Sequence, residues 1–136
     1  MTETQKQDKQ SESDNTELLL NIERQIAVTQ WIQAFGVFAE SILLVKLFSI
    51  KNGTSRNPAV ISGEQKIVTG NWVQTIGQVL EAAGVTAQID GPSIGLQRLT
   101  VTGDIIQSIG AALQAAGGEQ IIAAEVTQQA FEPFIP

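Results

Sequence analysis

The chain of 136 residues contains no cysteine and no histidine. The absence of cysteine excludes disulfide bonds and thiolate metal sites, and the absence of histidine removes the commonest general base and the commonest metal ligand. No serine can therefore be activated by a histidine, and no glycine-rich phosphate loop with its lysine is present. These absences predict a protein that is not an enzyme, with no catalytic residues, no metal site and no cofactor.

Charged residues are also scarce, at 16% of the chain against about a quarter in an average protein. The net charge is −6 with only eight basic residues, which argues against nucleic acid as a partner because phosphate binding needs a basic patch. Residues 70–84 contain one charged side chain, Glu81, and residues 99–118 contain one, Asp104. Helix surfaces this neutral are poorly suited to water, so we expect them to be partly covered.

The chain repeats itself, since residues 68–84 (VTGNWVQTIGQVLEAAG) and 101–117 (VTGDIIQSIGAALQAAG) are identical at ten of seventeen positions. A looser copy, VTQWIQAFGVFAES, occupies residues 28–41, and a truncated one, VTQQAFEPF, occupies residues 126–134. Large apolar residues recur with the helical period in each copy, as Trp72, Ile76 and Leu80 illustrate. Each copy is therefore predicted to be an amphipathic helix that needs neighbours to cover its apolar face.

We predict an all-α fold, an antiparallel bundle of about four helices built from these repeats. The expected helices span residues 16–49, 62–83, 94–116 and 118–131. Ser62 and Gln65 have the spacing of a capping box, and Gly84 and Gly117 stand where a glycine would cap a helix C-terminus. The polar residues 1–15 lack the pattern of a secretory signal and are predicted to be disordered, which leaves residues 16–136 as a single domain.

The most apolar stretch of the chain is 34–50, AFGVFAESILLVKLFSI, which is interrupted by Glu40 and Lys46. A carboxylate in the middle of a membrane span costs on the order of a few kcal/mol. We therefore favour a buried bundle helix over a membrane span for this segment.

Glycine recurs inside the predicted helices, each time three residues after a glutamine. A helical glycine costs about 1 kcal/mol relative to alanine, so its recurrence needs an offsetting gain. We favour the close approach of a helix of the same chain; the alternatives are another subunit or a lipid-embedded partner, and a hinge. Gly70 and Gly103 are interpreted as loose first turns or bends. The glutamines either border the core in solvent, which we favour, or hydrogen-bond between helices.

Two tryptophans at matched positions of the copies indicate matched core packing rather than a pocket. With the recurring glycines and glutamines they complete the set of predicted packing and interface residues: Gly36, Gly77, Gly110, Gln33, Gln74, Gln107, Trp31 and Trp72.

The pattern TG-x-x-[IV]-Q-[ST]-IG-x-x-L-x-A-x-G, at residues 69–84 and 102–117, resembles short repetitive proteins of Bacillus-type Firmicutes whose domain is uncharacterised. The resemblance covers residues 26–117, and the first copy departs from the pattern at Gln30 and Ala34 and has no second glycine. It implies a bacterial, intracellular protein of unknown function, and it transfers no catalytic residues.

The leading functional hypothesis is a non-enzymatic structural or interaction protein that self-associates through its neutral, glycine-bordered helix faces as a homo-oligomer in the cytoplasm. The alternative is a membrane-associated or membrane-active helical protein, which the residues that pack helices in lipid favour and the lack of a basic face disfavours. A binder of small apolar ligands is the third hypothesis, and it requires a closed apolar cavity between the helices.

Overall fold

The computed structural model describes residues 1–52 and 56–132, and nearly all of them are helical. They form α1 (Glu3–Lys51), α2 (Pro58–Asp90) and α3 (Ile94–Phe131). The all-helical prediction is confirmed. The described ranges contain three helices rather than four, because the third and fourth predicted helices are one continuous helix.

The glycines that were predicted to cap helices lie inside them instead. A left-handed cap needs a positive φ, and no glycine among the described residues has one. Gly84 lies in the interior of α2 and Gly117 in the interior of α3. Both glycines are buried against another helix, so the prediction that they end their helices is wrong.

Helix α2 begins earlier than the predicted capping box at Ser62. The side chain of Asn57 accepts a hydrogen bond of 2.9 Å from the backbone N–H of Ala59, and Pro58 occupies the first turn, where a missing N–H costs nothing. Ser62 therefore lies within α2. For α3 the predicted start holds, because the Ser93 side chain accepts from the Leu96 N–H at 3.2 Å and the helix begins at Ile94.

Helix α2 lies between the other two helices and runs antiparallel to both. On one side Ser41 of α1 lies opposite Asn71, while Gln30 lies opposite Glu81. On the other side Gly103 of α3 lies opposite Gly77 and Gly110 lies opposite Gly70. In the part of the chain described, α1 and α3 make no contact with each other. The three helices therefore leave much of the surface of α1 and α3 uncovered.

A buried ion pair joins the loop after α1 to the start of α2. Glu64, 4% exposed, accepts hydrogen bonds from both terminal nitrogens of Arg56, one of them 2.7 Å long. The bond to Glu64 raises the pKa of Arg56 above its ordinary value. Lys51 Nζ lies 3.8 Å from the same carboxylate. Because a buried carboxylate needs a close partner, this pair holds Arg56 against the first turns of α2.

The N-terminal part of α1 extends beyond the predicted start at residue 16. Residues 3–15 form its first turns, and every one of them is exposed. The predicted disorder of residues 1–15 stays a prediction, which hydrogen exchange can test.

Candidate functional site

Glycines bring α2 and α3 into unusually close contact. A Cβ atom added to Gly70 would lie 2.5 Å from the carbonyl oxygen of Gly110, and one added to Gly77 would lie 2.6 Å from that of Gly103. Gly63 and Gly117 form a third pair of the same kind. We call these three pairs the glycine seam: Gly63 with Gly117, Gly70 with Gly110, and Gly77 with Gly103. No alanine fits in the seam unless the helices move apart.

Two of the predicted interface residues belong to the seam and therefore pack against another helix of the same chain. Gly77 and Gly110 are both buried in it, and they face Gly103 and Gly70 rather than each other. Gly70 and Gly103 were interpreted as turns or bends, and the structure shows them in helix packing. The signal that identifies them is the seven-residue spacing, which runs unbroken from Gly63 to Gly84 and from Gly103 to Gly117 and keeps one face of a helix against one neighbour.

Gly36 differs from the glycines of the seam. It is exposed, and no atom lies within 4 Å of the position that its Cβ would occupy. Gln33, one turn earlier, is also exposed. The structure therefore gives neither of these predicted interface residues a neighbouring helix within the chain.

Gln74 and Gln107 bond between helices, contrary to the favoured interpretation of solvated amides, whereas Gln33 is exposed. Gln107 Nε2 donates to Glu81 Oε2 at 2.5 Å, and Gln30 Nε2 donates to Glu81 Oε1 at 2.8 Å. Gln114 Nε2 donates to Gln74 Oε1 at 2.6 Å. Glu81 thus receives one amide from α1 and one from α3. Charge-assisted bonds of this kind are about twice as strong as neutral ones.

The contact between α1 and α2 contains a second polar cluster, which sequence reasoning did not single out. The Ser41 hydroxyl lies 2.5 Å from Asn71 Oδ1 and 3.0 Å from Thr75 Oγ1, and all three residues are buried. Across the described residues, every buried side-chain nitrogen or oxygen has a hydrogen-bond partner. The described interior therefore contains polar side chains that are all hydrogen-bonded.

The two tryptophans lie along the boundary between α1 and α2. Trp31 Nε1 donates to Thr86 Oγ1 at 2.9 Å. Trp72 meets Phe38 edge to face, with ring centroids 5.8 Å apart. Trp31 and Phe38, with Phe35 and Val79, line an apolar cleft that opens to solvent. The tryptophans thus pack the side of the helix pair rather than a closed core.

Many of the large apolar side chains are exposed. The buried hydrophobic residues among those described are all alanines, at positions 27, 34, 82 and 124. On α1, Phe35 is 70% exposed, Ile32 65% and Leu43 63%. We call eleven of the exposed apolar side chains of α1 its outer face: Ile22, Ile26, Val28, Ile32, Phe35, Phe38, Ile42, Leu43, Val45, Leu47 and Ile50.

The outer face overturns the expectation that residues 34–50 form a buried bundle helix. Within that segment only Ala34 and Ser41 are buried. Helix α1 is long and apolar enough to cross a membrane, and only 11% of its most apolar stretch is buried in the chain. The expectation failed because the neighbour of α1 is packed through small and polar side chains, which leaves the large ones outside.

Acidic side chains do not assemble into a metal site in the part of the chain that the structure describes, where no group of three or more potential ligands comes together. The clefts there are open to solvent, as the one between α2 and the end of α3 illustrates. The geometry that stands out is an apolar outer face on α1 around a polar, glycine-lined interior.

Residues 65–130, a little under half of the chain, match a family of unknown function (DUF6944). The match includes the two closest copies of the repeat and most of α2 and α3. No curated protein and no solved structure is significantly similar to the chain. The expected resemblance to an uncharacterised domain is thereby supported for the two helices that form the glycine seam.

Proposed function

We propose that this chain is a non-enzymatic, helical-repeat structural protein that associates with membranes, with the outer face of α1 in contact with lipid. The observation that carries the proposal is the inverted distribution of side chains. Small and polar groups such as Gly77, Ser41 and Asn71 lie between the helices, whereas the large apolar groups of α1 lie outside.

Exposed apolar side chains are unfavourable in water but not in lipid. In water, each large apolar side chain left exposed forgoes on the order of 1.5–3 kcal/mol of burial, and the outer face has eleven of them. In lipid that penalty disappears, because acyl chains are as apolar as leucine. Helices then associate through small residues and interhelical hydrogen bonds, which are the contacts that α2 makes with both neighbours.

Self-association is the second candidate function, and Gly36 is the observation that favours it. Gly77 and Gly110, for which contact within the chain and contact between subunits were both considered, are packed within the chain. Gly36 is exposed, with open space at the position of its Cβ atom. The binding of a small apolar ligand receives no comparable support, since the apolar cleft at Phe35 and Val79 opens to solvent.

Vesicle flotation tests the membrane proposal, with Trp31 as a reporter. Trp31 is 36% exposed beside the outer face, and the Trp72→Phe variant makes it the sole tryptophan. We expect the protein to float with phosphatidylcholine vesicles and the Trp31 emission to shift to the blue. Protein that stays at the bottom of the gradient, with unchanged emission, would overturn the proposal.

A matched pair of variants shows whether the outer face is responsible. Phe35→Glu places a charge on the outer face and is expected to reduce vesicle binding about tenfold or more, because a carboxylate is costly in lipid. Phe131→Glu makes the same change at the end of α3, where the side chain is 66% exposed, and is expected to leave binding unchanged. Equal effects of the two variants would assign lipid contact to the whole surface instead.

A further inference from the structure

Three residues on the surface of α1 have the chemistry of the α2–α3 contact but no partner. Gln33, Gly36 and Glu40 are exposed, and their spacing of three and four residues places them on one side of the helix. Gly36 has open space around it. We call this surface the Gly36 face; it is flanked by the outer-face residues Ile32 and Leu43. Gln33 and Glu40 have no hydrogen-bond partner among the described residues and are exposed, so both are available to a partner that docks on this surface.

The internal repeat indicates which surface can pair with the Gly36 face. Residues 31–40 (WIQAFGVFAE) align with residues 72–81 (WVQTIGQVLE), so that Gln33, Gly36 and Glu40 correspond to Gln74, Gly77 and Glu81. In α2 all three corresponding residues contact α3: Gly77 meets Gly103, Gln74 accepts from Gln114, and Glu81 accepts from Gln107. On α1 the corresponding residues Gln33, Gly36 and Glu40 are exposed and contact no helix among the described residues.

We propose that the Gly36 face binds the same face of a second copy of this chain, with the two α1 helices antiparallel as α2 and α3 are. Transferring the register of Gly77 with Gly103 places Gly36 opposite Thr29 of the second copy. The pairing of Gln107 with Glu81 becomes Gln33 of one copy with Glu40 of the other. The two-fold symmetry of an isologous contact makes this bond twice, so both glutamines and both carboxylates gain a partner.

The chain itself shows that such a contact tolerates a side chain larger than hydrogen on one helix. At the end of the α2–α3 contact Gly84 lies opposite Leu96, where a Cβ on Gly84 would be 3.3 Å from the Leu96 carbonyl oxygen, compared with 2.5 Å for Gly70 and Gly110. The nearest atom to that position is the side-chain oxygen of Thr100, at 2.5 Å. The helices remain packed there at a slightly greater separation. Thr29 opposite Gly36 calls for a similar adjustment.

The occupant of the Gly36 face is a second copy rather than lipid because of hydrogen bonding. Lipid chains offer Gln33 and Glu40 neither donor nor acceptor, and an unpaired carboxylate there is costly. A second copy offers both at the register that the chain already uses. The pairing leaves Phe35 and other large side chains of the outer face uncovered, so it is compatible with the proposed lipid contact but does not depend on it.

Cysteine cross-linking tests the pairing directly, because the natural chain has no cysteine. Ile32 lies near the two-fold axis, so Ile32→Cys is expected to form a disulfide-linked dimer on mild oxidation. Ala39→Cys is the matched control, exposed on the same side of α1 one heptad later. In the antiparallel pair its two copies are roughly 20 Å apart along the helix, beyond the reach of a disulfide. We expect strong cross-linking of the first variant and little of the second.

A third substitution tests whether close approach at Gly36 is required. Gly36 is exposed, and a Cβ there would have no atom beyond its own stretch of helix within 4 Å, so the Gly36→Leu variant is expected to fold, as far-UV circular dichroism will show. Combined with Ile32→Cys, it is expected to lower cross-linking about tenfold, because it holds the helices apart. The control is Gly118→Leu, which also has open space around it and lies on α3; it is expected to leave cross-linking unchanged.

The outcomes separate the alternatives. Equal cross-linking of Ile32→Cys and Ala39→Cys would indicate parallel helices or random collision and would overturn the proposed pairing. Absence of cross-linking in both, in detergent and in vesicles, would overturn it as well, whether or not the protein floats with lipid. Vesicle binding with no cross-linking would leave the membrane proposal standing and remove only the dimer.

Discussion

Glycine has two roles in this chain that the residue alone does not reveal. Gly117 packs against Gly63, whereas its neighbour Gly118 has open space around the position of its Cβ atom. Both lie within α3, so both carry the same helix-propensity cost. Only Gly117 offsets that cost, by allowing the close contact between α2 and α3.

This difference predicts opposite effects of the same substitution at adjacent positions. Gly118→Ala is expected to raise the free energy of unfolding by about 0.5–1 kcal/mol, the gain in helix propensity. Gly117→Ala gains the same but forces α2 and α3 apart, which costs about 1–3 kcal/mol, so we expect no net gain or a loss. Urea unfolding followed by circular dichroism measures both. Equal stabilisation by the two substitutions would contradict the close contact at Gly117.

At the scale of the helices, α2 differs from its neighbours because it is packed on two sides. It contributes Gly77 to the glycine seam and Asn71 and Thr75 to the contact with α1. Glu81, half-buried, bonds to both neighbours. Because α2 is packed on two sides, we predict that α2 and the facing parts of α1 and α3 unfold locally least often. Segments without such contacts are expected to open first.

Helix α1 provides the test, because its two ends have different surroundings. Residues 3–15 are exposed and the helix there has no neighbour, and isolated helical turns of this length are marginal in water. We expect amide hydrogens of residues 3–15 to exchange within seconds, and those near Ser41, which bonds to Asn71, to exchange far more slowly. Hydrogen-exchange mass spectrometry measures both. Equal protection along α1 would contradict the predicted disorder of residues 1–15.

At the scale of the whole molecule, the net charge of −6 bears on the kind of membrane contact. Surface-binding helices usually rely on lysine and arginine to reach anionic lipid. This chain has eight basic residues, so we expect the proposed membrane contact to depend on the outer face of α1.

Binding is therefore expected to depend little on salt and to be no stronger for anionic than for neutral vesicles, since anionic lipid repels an acidic protein. Co-sedimentation with phosphatidylcholine vesicles, with and without phosphatidylserine and at low and high salt, measures this. Binding that requires phosphatidylserine and disappears in high salt would show that charge, rather than the outer face, makes the contact.

The sequence alone was sufficient to predict that the chain is helical, although it predicted four helices where the described residues form three. The period of Trp72, Ile76 and Leu80 predicted helix, and α3 begins at Ile94 as expected. Helix ends were harder, because Gly84 and Gly117 satisfy the local rule for a cap but lie inside α2 and α3. A cap prediction uses only residues that are adjacent in sequence. It takes no account of a second helix that packs on the glycine and makes continuation of the helix favourable.

The sequence by itself determined that the chain is helical, poor in charge and lined with glycines at regular spacing, because propensity and periodicity are local properties. Only the tertiary structure decided which surfaces those residues use. It put Gly77 against Gly103 and left Gly36 free, and it put Ser41 and Asn71 inside and Phe35 outside. The physical reason is that an amphipathic helix offers a small, polar side and a large, apolar side. Which side meets a neighbour depends on the shape and hydrogen bonding of that neighbour, which lies far away in sequence.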